Sequence, residues 1–134
     1  MRAAAPALGF GFLISFGSSA GQTYFISLFA GEIRADLGLT HGGFGTLYTL
    51  ATLASAAALV WLGKLTDRLD LPFLSVFSLL GLSGCAMLMA GANSVIVLIF
   101  ALFGLRLFGQ GLLSHIAITA MGRWFSVERG RALS

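Results

Sequence analysis

Charge is what this chain lacks. Of its 134 residues only 10% are Asp, Glu, Lys or Arg, against roughly 25% in an average soluble domain. A soluble fold of this length must cover much of its surface with polar side chains, and this composition cannot supply them. Soluble and disordered classes are excluded. Cysteine is almost missing too. Cys85 stands alone, so there is no disulfide framework and no metal-ligand pattern, and it reads as a small core residue. No carboxylate lies inside any of the long apolar runs. That absence, with no converging nucleophile and base, argues against a membrane enzyme.

What is present is apolar and long. Hydrophobic residues make up 57% of the chain, and the 18 glycines bring the apolar share to about 70%. Ala3 to Gly31 is free of charge for 29 residues, Leu37 to Gly63 for 27 and Leu71 to Leu105 for 35. Each exceeds the ~20 residues a bilayer crossing requires. From Leu71 to Gly122 the only charge is Arg106. As one helix this stretch would run to about 78 Å, against a hydrocarbon core of ~30 Å, so it must fold back. The local break is Gly91-Ala92-Asn93-Ser94, rich in turn-forming residues. The reading is an all-α integral membrane protein with four transmembrane helices near 7–30, 42–63, 73–92 and 95–121. Helices are favoured over barrel strands because the runs are about twice strand length and lack two-residue alternation.

Basic residues set the expected orientation. With the amino terminus in the cytoplasm, that side holds Arg2, Lys64, Arg68, Arg123, Arg129 and Arg131, and the opposite side holds Arg34 alone, beside Glu32 and Asp36. Both ends are then cytoplasmic. The net charge of +3 is explained by loops facing anionic lipid and calls for no nucleic acid. Arg2, the apolar stretch Ala7–Phe16 and Ser18-Ser19-Ala20 imitate a signal peptide, but the apolar character continues to Ala30 and makes a full span.

Polar residues inside the spans are informative because a bilayer makes them costly. In the first span Ser15, Ser18, Ser19 and Gln22 fall within a stripe about 100° wide at helical spacing, with Thr23 on its shoulder and Tyr24 opposite. Such a stripe either bonds to its own helix and its neighbours or faces a watery path. Arg106 lies about 16 Å into the fourth span, near the midplane and too deep to snorkel. It either holds an anion or a buried carboxylate, or braces spans through backbone carbonyls. Gln110 and Ser114 lie on its side of the helix, whereas His115 points the other way and reads as a packing residue.

The connection between spans two and three, Gly63-Lys64-Leu65-Thr66-Asp67-Arg68-Leu69-Asp70-Leu71-Pro72, is short and dense. Asp67 can cap a helix, Arg68 can pair with an anion, and Pro72 suits a first helical turn. This segment resembles the G-x-L-x-D-R-x-G-R-R/K loop of the major facilitator superfamily (MFS), with Gly63, Leu65, Asp67 and Arg68 in place. Two further segments agree in order. Arg106-Leu107-Phe108-Gly109-Gln110-Gly111 resembles the fourth-helix R-x-x-G-x-G pattern, and Arg123-Trp124-Phe125 with Glu128-Arg129-Gly130-Arg131-Ala132 resembles the W-F-x-x-x-x-R-G-x-A loop before helix five. The basic half of the first motif is replaced by Asp70, Leu71 and Pro72.

The resemblance implies an incomplete amino-terminal half of a twelve-helix carrier, residues 1–134 supplying helices one to four and ending where helix five begins. Such carriers are built from inverted three-helix repeats and move a small solute by alternating access. Helices one and four are counterparts in those repeats, and both carry a mid-span Gly-Gln pair, Gly21-Gln22 and Gly109-Gln110. On this reading Ser15, Ser19, Gln22, Arg106 and Gln110 contact solute or coupling ion, and the positive charge of Arg106 favours an organic anion. Gly63, Asp67 and Arg68 form a cytoplasmic gating loop. The partners are the solute, the lipid bilayer and the carboxy-terminal helices of the same transporter. No cofactor is implied, coupling is to protons or sodium, and the location is the plasma membrane. The competing reading is a small four-helix membrane scaffold or regulatory protein.

Overall fold

The computed structural model describes residues 4–125. Arg2 and the motif segment Glu128-Arg129-Gly130-Arg131-Ala132, like the expected start of helix five, lie outside the described residues. Among the described residues every regular element is helical. They are α1 (Ala4–Gly17), a 3₁₀ turn (Ser18–Gly21), α2 (Thr23–Leu37), α3 (His41–Leu62), the short α4 (Leu65–Arg68), α5 (Leu71–Ala90) and α6 (Val95–Trp124). The middle of α6, Leu105–Leu113, is wound as π-helix.

Three helical stretches are long and apolar enough to cross a bilayer: His41–Arg68, Leu71–Ala90 and Val95–Trp124. Their ends follow local chemistry. Thr40 caps α3 by accepting from the Gly43 N–H at 2.9 Å, and Ser94 caps α6 by accepting from Val97 at 3.4 Å. Pro72 sits in the first turn of α5, where no intrahelical N–H is lost. The residue before that helix, Asp70, makes no side-chain cap, and Asp67 is turned elsewhere, as described below. Gly38 ends α2 in the left-handed conformation, φ 65°, where a side chain would be strained.

The first apolar segment differs from the continuous helix expected over 7–30. α1 stops at Gly17, a 3₁₀ turn follows, Gln22 is extended at φ −80° and ψ 152°, and α2 starts at Thr23. Gly17-Ser18-Ser19-Ala20-Gly21 is poor in helix-stabilising side chains, and the Ser18 hydroxyl donates back to the Ser15 carbonyl at 2.7 Å. The deciding cause is tertiary. Gly21 is buried where the chain crosses α6, and a Cβ on it would sit against the Leu105 carbonyl oxygen and 2.6 Å from the Gly109 Cα. The two backbones can pass this closely only because both positions are glycine.

α6 is the centre of the assembly. Half of its most apolar window is buried, against 11% for His41–Arg68 and 22% for Leu71–Ala90. α1 packs on its last third, the 3₁₀ turn on its π-helical middle, and α3 and α5 flank its first two-thirds. Leu98, Leu102, Leu105, Leu112, Leu113 and Ile116 are sealed inside. The outward faces of α3 and α5 carry Leu53, Trp61, Phe73, Leu80 and Met87, all exposed. Such apolar surfaces suit a hydrocarbon solvent.

Candidate functional site

The interruption of the first segment creates the polar centre of the molecule. In a continuous helix the Gly21 carbonyl would accept from Phe25, but Phe25 bonds to Gln22 at 3.2 Å instead. A carbonyl freed inside a bilayer needs another donor. Arg106 supplies it. Its Nη1 donates to Gly21 O at 3.2 Å and to Thr23 Oγ1 at 3.1 Å, so both of that nitrogen's protons are engaged. The Thr23 hydroxyl in turn lies 2.9 Å from Tyr48 Oη, and the Tyr48 ring faces the guanidinium with its centroid 5.3 Å from Cζ.

Arg106 is only 8% exposed. Among the described residues no carboxylate pairs with it, and the ion pair found there is Asp67–Arg123. Its remaining donors, Nε and Nη2, have no partner among the described residues. The result is a charge held by neutral oxygens and an aromatic face, with its Nε–Nη2 edge unbonded among the described residues.

Gln22 is half-buried at the break and donates from Nε2 to Ser114 Oγ at 3.5 Å, a long bond linking the first segment to α6. Ser19 is half-buried in the 3₁₀ turn, and Ser15 is exposed on α1. Gln110 is exposed although Arg106, one turn earlier, is buried. The uniform helical spacing that put these residues on common stripes therefore does not apply, because one segment is broken and the other is π-wound. Thr23 and Tyr48 escaped the sequence reading as site residues. The available signal was a tyrosine hydroxyl inside a long, largely apolar helix, which needs a polar partner. His115, expected to pack between helices, is exposed, with Nε2 3.9 Å from where a Gly63 Cβ would stand.

At the end of α6 a second polar cluster ties the α3–α5 connection down. Arg123 Nη2 donates to the Thr66 carbonyl at 2.8 Å and lies 3.7 Å from Asp67 Oδ1. Thr66 is fully buried and donates to Gly63 O at 2.6 Å. Asp67 is largely exposed, so its ion pair contributes at most about 1 kcal/mol. Arg68 is exposed. Lys64 places its ammonium 5.4 Å from the Trp61 ring centroid.

Compared with protein families, residues 11–134 match the Major Facilitator Superfamily. The chain belongs to that family. MFS members are transporters rather than enzymes, and the apolar helices make this chain an integral membrane protein of that kind. No curated protein and no solved structure matches it. The MFS match spans both polar clusters, the one around Arg106 and the one around Arg123.

Proposed function

We propose that this chain forms the amino-terminal part of a secondary active carrier in the plasma membrane, moving a small organic anion by alternating access. The first segment, broken as it is, makes the first of four crossings, and both ends lie in the cytoplasm, as the clustering of Lys and Arg on one side favours. A broken helix at mid-membrane is the arrangement by which carriers offer backbone groups to a solute. The observation that carries the proposal is Arg106: buried, deep, unpaired with any described carboxylate and anchored by Nη1 alone. Bracing the Gly21 carbonyl accounts for one nitrogen. It leaves the net charge uncompensated, which is costly in a bilayer unless an anion completes the site.

In this carrier Ser19, Gln22 and Arg106 line the solute path at the crossing of the first and fourth segments. Ser15 and Gln110, exposed on the four-segment unit, face the path toward the carboxy-terminal helices. The loop of Gly63, Asp67 and Arg68 serves as the cytoplasmic gate, with Arg123 holding its carbonyl side. Arg106→Ala in the complete transporter tests the reading. Uptake of labelled organic anions, measured per molecule of folded transporter recovered in the membrane, should be abolished, and normal uptake by the variant would refute it.

A further inference from the structure

The bonding of Arg106 says more about the solute than its charge does. A guanidinium can present two edges to a planar anion, Nη1 with Nη2 or Nε with Nη2. The first edge is closed here because Nη1 spends both protons on Gly21 O and Thr23 Oγ1. One face of the group is covered by the Tyr48 ring. The edge left is Nε–Nη2, two parallel N–H donors in the fork geometry that fits the two oxygens of a carboxylate.

We infer that the solute binds through a carboxylate docked on the Nε–Nη2 edge of Arg106, with Thr23 and Tyr48 acting as positioning residues that fix the plane of that edge. The inference rests on the anion reading above and adds the anion's chemical class and two residues. A spherical anion such as chloride takes both N–H donors on one atom and is indifferent to the plane of the fork, whereas a carboxylate loses one of its two bonds when the fork is lost or turned. Thr23 works by receiving Nη1 and by its 2.9 Å link to the Tyr48 hydroxyl; Tyr48 works through that hydroxyl and its ring. Neither needs to touch the solute.

The experiment is thermal stabilisation of the purified complete transporter by acetate, lactate, pyruvate, benzoate, succinate and citrate, each set against its amide and against chloride. A ligand that binds the folded state raises the melting temperature in proportion to its affinity. At least one carboxylate should stabilise the protein while its amide and chloride do not. Arg106→Lys, which keeps the charge and removes the fork, should weaken that carboxylate by about tenfold or more. Tyr48→Phe and Thr23→Val should each raise its dissociation constant by about three- to tenfold without changing the melting temperature of the empty protein by more than a few degrees.

Stabilisation kept in full by Arg106→Lys overturns the fork and leaves the anion reading standing. If Arg106→Ala also keeps it, both fall. No response to any carboxylate, or an equal response to chloride, overturns the assignment of solute class. Unchanged affinity in both Tyr48→Phe and Thr23→Val overturns the positioning roles.

Discussion

Replacing Gly21 by alanine is the sharpest perturbation the fold allows, because one methyl group would strike backbone on two sides. The new Cβ would stand against the Leu105 carbonyl oxygen, 2.6 Å from the Gly109 Cα and 3.0 Å from the Gln110 nitrogen. Carbon atoms settle near 3.5–4.0 Å, so the segments must part by about 1 Å. No side-chain rotation can relieve the clash. Overpacking of this kind costs about 1–3 kcal/mol. The same separation stretches the 3.2 Å bond from Arg106 to Gly21 O beyond hydrogen-bond range. A bond from a charged donor is worth about 1.5–3 kcal/mol, so the two terms together reach roughly 2.5–6 kcal/mol.

That is a large share of the ~5–15 kcal/mol by which folded proteins are stable. Gly31→Ala is the matched control, since a Cβ there has nothing within 4 Å. Melting of the complete transporter in detergent, followed by size-exclusion fluorescence, should show Gly21→Ala lowered by many degrees and Gly31→Ala unchanged or slightly raised. Gly109→Ala should behave like Gly21→Ala, because its Cβ would meet Gly21 Cα at 2.5 Å and Gly21 N at 2.8 Å. Equal melting temperatures for Gly21→Ala and the unmodified protein would refute the close crossing, and with it the explanation of why the first segment is broken.

Three other outcomes follow from single contacts. Arg123→Ala removes the donor to the carbonyl of the buried Thr66 and should cost about 1–3 kcal/mol, whereas Asp67→Asn loses only an exposed ion pair and should cost less than about 1 kcal/mol; equal losses in a melting assay would contradict the carbonyl bond as the main tie. A Cβ at Gly104 would collide with the Cys85 sulfur, so Gly104→Ala should be destabilising alone and largely rescued in combination with Cys85→Ala; additive effects in this double-mutant cycle would exclude the contact. Thr40→Ala removes the cap at the start of α3 and should cost about 1 kcal/mol, while Asp70→Ala, at a position without a side-chain cap, should leave helix stability near its original value by the same assay.

Helix ends proved legible around Thr40, Asp70 and Ser94, whereas α2 runs past the end expected near 30, through Glu32, Arg34 and Asp36 to Leu37. Spans expected near 42–63, 73–92 and 95–121 are helices over His41–Leu62, Leu71–Ala90 and Val95–Trp124, and the turn placed at Gly91-Ala92-Asn93-Ser94 lies between the last two. The break at residues 18–22 falls on a small and polar run, Ser18-Ser19-Ala20-Gly21-Gln22, which a continuous helix can also carry as a polar stripe, and its deciding cause lies 88 positions away, at Gly109. Tyr48 was hidden for the same reason: its role depends on which face of α3 meets α6, and composition does not carry that.

The repeated Gly-Gln pairs of the first and fourth segments now acquire a physical sense. Between helices in lipid the hydrophobic effect supplies no net attraction, so association depends on close backbone packing and on polar ties. Both are concentrated at one place here. Gly21 and Gly109 allow the segments to touch, that contact excludes a regular helix on one side, the excluded helix frees a carbonyl, and Arg106 is the donor that the freed carbonyl requires. A side chain that joins two segments can also report a bound solute to both of them. Any movement of Arg106 toward an anion must load the Gly21 bond, and so must bear on the junction between α1 and α2.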